Sequence, residues 1–211
     1  VAQRLYEGVE IGGETTGLIT YMRTDGVQMA PEAIEAAREQ IGKGFGDRYR
    51  PEKPRFYATK AKNAQEAHEA VRPTEFWRTP EEVRKYLDSD QARLYEMIWK
   101  RAIASQMVPA EIERTTVEIE ASNGAKTAGL RAVGSVVRFD GFLAAYTEQK
   151  DEDATDGDDD EKRLPQIGAN ENLAPHAINA TQHSTEPPPR YSEASLIKKM
   201  EELGIGRPST Y

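Results

Sequence analysis

Apolar positions change their period twice along the chain. Leu18 to Arg23 (LITYMR) is a short β-branched and aromatic stretch and reads as a strand. Pro31 suits the first turn of a helix, and Ile34, Ala37 and Ile41 then fall on one face before Gly42 is expected to stop it. Thr79, Pro80 and Glu82 supply cap, first-turn proline and capping-box acid for a second helix ending near Asp88. Leu94, Met97, Ile98 and Ala102 mark a longer helix, with Tyr95 and Trp99 beside them as core aromatics. Past Pro109 the period drops to two. Val117, Ile119 and Ala121 alternate with Glu118 and Glu120, and Asn123-Gly124 offers a hairpin turn before Lys126–Ala132. Val136–Phe139 and Phe142–Tyr146 read as further strands, and Ala177–Thr185 as an extended segment leading into Pro187-Pro188-Pro189, a stiff polyproline spacer. Ser192 then caps a helix whose Leu196, Met200 and Leu203 share one stripe, closed by Gly204. The order is helical, then β, then helical.

Composition narrows the class. The 211 residues are 37% apolar, which with 16 glycines sits at the low edge of the globular average and fits several small cores better than one thick one. No run approaches the ~18 apolar residues of a membrane span, and Val1 opens no charged-then-apolar leader, so neither is expected. With no cysteine, disulfides and thiolate metal sites are excluded, in keeping with a cytosolic setting.

The net charge of −8 argues against a polyanionic partner only until it is located. Nine acids and one base lie between Glu148 and Glu161, so this run, expected to be a mobile loop, accounts for the whole imbalance. Lys43 to Lys62 carries seven bases against two acids, with Phe45, Tyr49, Phe56 and Tyr57 interleaved. Cations there can neutralise phosphates while aromatic faces stack on unpaired bases; a solvated loop with anchoring rings fits the same composition.

Candidate chemistry sits in three short stretches. In Gly17–Asp25, an extended backbone would put Tyr21 and Arg23 on one side. A phenol attacks phosphorus once it loses its proton, and a guanidinium one pleat away would favour the phenolate and the charge building on phosphoryl oxygens. The spacing alone also fits an ordinary cross-strand pair. Ala64–Pro73 reads as a helical turn or two ending before proline; His68 could donate to a phosphate, but the residues alone favour a surface histidine between Glu66 and Glu69. His176 and His183 have no partner pattern. In Leu203–Tyr211, two glycines allow close approach to a ligand, and Arg207, Ser209 and Thr210 supply donors; a helix end followed by a new helix start explains the residues as well.

Together these residues resemble a known family. Gly17-Leu-Ile-Thr-Tyr-Met-Arg-Thr-Asp25 is similar to the active-site tyrosine motif of the type IA DNA topoisomerases in their bacterial form. Ala2–Gly8 (AQRLYEG), Ala67–Pro73 (AHEAVRP) and Pro187–Leu196 running through Gly204–Tyr211 (GIGRPSTY) match in the same order. Val108–Thr185 is carried mainly by its position between motifs, and its acidic loop looks peculiar to this chain.

The resemblance implies an α+β multidomain fragment: a helical domain with the tyrosine over 1–108, a β-rich arch or hinge domain over 109–189 with the acidic loop 148–161, and the start of a helical DNA-binding domain over 190–211. It implies that Tyr21 cuts one DNA strand and keeps its 5′ phosphate as a phosphotyrosine, with Arg23 assisting at the scissile phosphate. His68 would bind a neighbouring phosphate, Arg207, Thr210 and less surely Ser209 would contact the upstream single strand, and Asp25 would support. Gly26 stands where many bacterial members have serine, and little effect is expected from a hydroxyl that does not attack. The family keeps its Mg²⁺-binding acids and a catalytic glutamate in a Toprim domain, so the cofactor's ligands are expected outside these residues and no metal within them. The implied whole relaxes negatively supercoiled DNA by single-strand passage without ATP, as a monomer in the cytoplasm, associated with the nucleoid. The fragment alone is expected to be inactive. A non-catalytic single-stranded nucleic-acid-binding module would use the same basic and aromatic stretch but be indifferent to the Tyr21 hydroxyl; a protein-interaction segment would show no salt-dependent affinity for single strands.

Overall fold

The computed structural model describes residues 1–24, 26–57, 68–146, 164, 167–177, 179–182, 184–185 and 187–206. Asp25, Ala64 to Ala67, the acidic loop 148–161, His183, Arg207, Ser209 and Thr210 lie outside the described residues. The fold is mixed helix and sheet. It divides into two units: one built from Val1–Ala110 with the segment beginning at Asp140, the other from Glu111–Phe139 with later residues up to Leu203.

In the first unit a short helix α1 (Ala2–Glu7) leads into a hairpin of β1 (Val9–Ile11) and β2 (Glu14–Thr16), paired Val9↔Thr16 to Ile11↔Glu14. Helix α2 (Pro31–Gly44) begins with its proline in the first turn as expected, but Gly42 does not stop it. A single helical glycine costs only ~1 kcal/mol relative to alanine, and Ala33, Ile34, Ala37 and Ile41 bury one face. The capping box at Thr79 forms, yet α3 (Pro80–Val83) lasts one turn before a 3₁₀ turn over Arg84–Tyr86. Asp88 is the cap of the next helix, α4 (Ser89–Ser105), accepting from the Gln91 N–H at 2.8 Å.

Helix α4 packs against α1, α2 and α3 and is the spine of this unit. Its buried face is Tyr95, Trp99, Ala102 and Ile103, whereas Met97, expected in the stripe, is exposed. The aromatics are core with their polar ends satisfied: the Tyr95 hydroxyl donates to the Arg78 carbonyl at 2.7 Å and the Trp99 indole to that of Phe76 at 3.0 Å. Burial holds the Tyr95 phenol well above its ordinary pKa. Leu5, Leu18, Ile19, Ile41, Phe76 and Met107 complete the core.

Leu18 to Arg23 is not a strand. It makes one antiparallel bridge, Ile19↔Pro73, and the ladder goes no further because the Arg72 N–H donates to the Thr20 hydroxyl and the Leu18 N–H to the Leu5 carbonyl. Phe142–Tyr146 is not a strand either: Gly141 takes φ +50 and the chain turns into a 3₁₀ helix over Gly141–Ala144. His68 to Arg72, the described part of the expected helical turn, is non-helical.

The second unit is dominated by one long hairpin. Strand β3 (Glu111–Ser122) pairs with β4 (Thr127–Phe139), which joins the two strands expected at Lys126–Ala132 and Val136–Phe139 into one. The register runs from Ile112↔Val137 to Ser122↔Thr127, so the turn is a four-residue loop in which the Asn123 side chain accepts from the Ala125 and Lys126 N–H groups and Gly124 takes φ +84. Among the described residues, 177–185 form no strand. Helix α5 (Glu193–Glu202) is capped by Ser192 as expected, and buries none of its residues within the unit.

Candidate active site around Tyr21

The segment carrying Tyr21 is held from both sides. The Leu18 N–H donates to the Leu5 carbonyl at 2.8 Å, tying it to α1. Gly17 passes so close to the end of α1 that a Cβ there would lie 2.7 Å from the Tyr6 carbonyl oxygen. On the other side the Thr74 N–H donates to the Leu18 carbonyl and the Thr20 N–H to that of Arg72, at 3.0 and 2.9 Å. The Thr20 hydroxyl completes the interlock, donating to the Ala70 carbonyl at 2.7 Å and accepting from the Arg72 N–H at 3.0 Å. Residues 17–20 and 70–74, fifty apart in sequence, are thereby fixed together.

This interlock brings His68 to Tyr21. Their ring centroids are 6.0 Å apart, edge to face, and Tyr6 approaches the Tyr21 ring at 5.4 Å in the same manner. Tyr21 is 46% exposed, so the side chain is open to solvent rather than sealed in the core. His68 Nδ1 lies 3.2 Å from the Glu69 carbonyl, which accepts when that nitrogen carries the proton. Gly26 backs onto His68: a Cβ there would sit 2.7 Å from the His68 carbonyl oxygen and 3.1 Å from Nδ1. Position 26 therefore matters through packing rather than through a hydroxyl.

The stretch after His68 is fixed by Arg72, whose Nε donates to Glu69 Oε2 at 2.6 Å and whose Nη1 donates to the Pro73 carbonyl at 2.9 Å. Its guanidinium holds the Glu69 carboxyl below its ordinary pKa. Arg23 is half-buried, two residues beyond Tyr21. Tyr6, Thr20 and Arg72 stand inside the matched motifs, with no feature of the sequence alone that marks their contacts. Among the described residues no group of three or more acids or histidines is assembled that could hold a metal ion, and no helix is long and apolar enough to cross a membrane.

The arrangement is an exposed phenol beside an imidazole, on a segment locked to a distant loop, and relatives show where it belongs. The family model for DNA topoisomerase matches residues 1–211, and the chain belongs to that family. It is 52% identical over 211 residues to DNA topoisomerase 1 of Rickettsia conorii and 50% over 212 to that of Xylella fastidiosa, covering all of this chain and 26% of each relative. DNA topoisomerase 1 of Zymomonas mobilis is 54% identical over 213 residues, 16% of its length. Among solved structures, full-length topoisomerase I of Thermotoga maritima matches with a TM-score of 0.73 and 36% identity, over all of this chain and 32% of that one. The chain thus spans between 16% and 26% of the length of these curated relatives.

Proposed function

We propose that this chain is the tyrosine-bearing part of a type IA DNA topoisomerase and that Tyr21 is its nucleophile. The Tyr21 oxygen attacks a backbone phosphorus of one DNA strand, a 5′-phosphotyrosine bond forms, the bond to the 3′ oxygen breaks, and that oxygen takes up a proton. A second strand passes through the gap, the 3′ hydroxyl attacks the phosphotyrosine, and the phenol is released. One phosphodiester replaces another at each step, so no ATP is needed. The proposed substrate is negatively supercoiled DNA with single-stranded character, and the whole enzyme acts as a monomer in the cytoplasm, at the nucleoid.

Arg23 offsets charge on the scissile phosphate, His68 holds a neighbouring phosphate, and Arg207, Thr210 and Ser209 take the upstream strand. Mg²⁺ is held by acidic residues elsewhere in the whole protein. The division proposed is a helical domain over 1–108, a β-rich arch over 109–189 and the start of a further helical domain over 190–211. The reading is supported above all by the reachable Tyr21 ring lying edge-on to His68. Replacing Tyr21 by Phe in the whole enzyme tests it: denaturation of a cleavage reaction should yield no protein–DNA adduct, and an adduct that persists overturns the assignment. A non-catalytic binding module would not respond to that substitution.

A further inference from the structure

A cavity of about 900 Å³ lies beside the segment that follows Tyr21, within the first unit. Thr24, Gly26 and Gln28 form one wall and Ala70 and Val71 continue it, joined by a bond from the Ala70 N–H to the Gln28 carbonyl at 2.8 Å. Its floor is apolar, with Met29, Ile34, Met107 and Phe142. The rim is different in kind. Arg55, Phe56 and Tyr57 line one side, Arg101 and Tyr146 another.

The rim is built rather than incidental. Gln106, fully buried, spends its amide on the backbone of Arg55, accepting from its N–H at 3.1 Å and donating to its carbonyl at 3.0 Å. The Tyr57 hydroxyl donates to the Ser105 carbonyl at 2.7 Å, so 55–57 are pinned to the end of α4 at two points. Pinning leaves Phe56 74% exposed and Tyr57 45%, an uncommon fate for two adjacent rings. The Arg101 guanidinium lies over the Tyr146 ring, 5.0 Å from its centroid. Among the described residues neither Arg55 nor Arg101 meets a carboxylate, and no aspartate or glutamate lines the cavity, in a chain with 36 of them.

Cations that meet no carboxylate among the described residues, open aromatic faces and a volume within the range of small-ligand sites call for a ligand that is both flat and anionic. We propose that the cavity is a second strand-binding site, taking an unpaired nucleotide of single-stranded DNA with its base against Phe56 and Tyr57 and its phosphate on Arg55 and Arg101. The proposal rests on the reading of this chain as acting on DNA. It adds a contact distinct from the phosphates at Tyr21, backed onto the segments that carry Tyr21 and His68.

The test uses the whole topoisomerase containing this chain, with Tyr21→Phe to prevent covalent capture, and a single-stranded oligonucleotide carrying 5-iodouracil. Photo-cross-linking followed by peptide mapping should place adducts on Phe56, Tyr57 or Tyr146. Phe56→Ala should weaken oligonucleotide binding about tenfold. Arg55→Gln with Arg101→Gln should weaken it and lower the slope of log affinity against log salt by about 0.7, the value for one phosphate contact on a single strand. Phe56 and Arg101 are exposed, and thermal melting of each variant checks that folding is retained. Adducts confined to other residues, or affinity and salt slope unchanged by these variants, overturn the proposal. Suppression of the cross-link by thymidine monophosphate as effectively as by unlabelled strand, nucleotide for nucleotide, makes this a free-nucleotide site and overturns the strand reading. Unsubstituted enzyme run in parallel separates the two ideas: a Tyr21 adduct without cross-links at the rim sinks only the cavity, and cross-links without an adduct sink only the Tyr21 assignment.

Discussion

Thr20 shows how much of the site depends on one hydroxyl. It precedes Tyr21, and its oxygen bonds both the Ala70 carbonyl and the Arg72 N–H. Valine has nearly the same shape, so Thr20→Val leaves two partly buried backbone groups short of a partner at a cost of about 1–3 kcal/mol. A lower urea midpoint is expected, together with a loss of covalent adduct larger than the unfolded fraction explains, because His68 would no longer be held to Tyr21. Glu69 gives a pH-dependent counterpart. Its folded-state pKa is depressed by Arg72, so its contribution is present above the ordinary carboxylate value and is lost as pH falls through the depressed one. Glu69 is partly exposed, which limits that contribution to under about 1 kcal/mol. Melting temperatures of the parent and Glu69→Gln should differ at pH 7 and converge once the pH has fallen below the depressed value. A difference that persists in acid would mean the pair acts through packing.

At the scale of elements, what the sequence makes legible is what is local. Helix α2 and the cap of α5 follow from residues a few places apart, and so does the hairpin, although its turn is two residues longer than Asn123-Gly124 suggests because the Asn123 side chain closes a wider loop. The failures have long-range causes. Nothing in Leu18–Arg23 announces that the Leu5 carbonyl takes the Leu18 N–H and the Thr20 hydroxyl the Arg72 N–H, which limits pairing to one bridge. Tyr21 was found through its motif, but its approach to His68 and Tyr6 depends on an interlock between residues fifty apart. Asp88 illustrates the local case at a boundary: it looked like the end of one helix and is the start of the next. Asp88→Ala removes the acceptor for the Gln91 N–H, and α4 packs against three other helices. The expected loss is about 1 kcal/mol, read by thermal or urea unfolding. No loss would mean that α4 starts elsewhere in solution.

At the scale of the whole molecule, this chain, with the nucleophile proposed for it, matches only part of each relative. It covers 26% of relatives that share half its residues, and among the described residues no acids converge near Tyr21 to hold a metal ion. Phosphoryl transfer to a phenol needs more than reach: charge accumulates on the phosphoryl oxygens, and fixed cations or metal ions aimed at them supply much of the rate. Arg23 and His68 can contribute part of that. A polypeptide of these 211 residues should therefore bind single strands with a salt-dependent affinity yet leave negatively supercoiled plasmid unrelaxed in the presence of Mg²⁺, while the whole protein relaxes it. The two properties are separable in one preparation, by oligonucleotide titration and by gel analysis of plasmid topoisomers. Relaxation by the short chain would place the missing charge stabilisation inside these residues. Absence of strand binding would mean that the rim arginines and aromatics are not arranged for nucleic acid until the remainder of the protein is present.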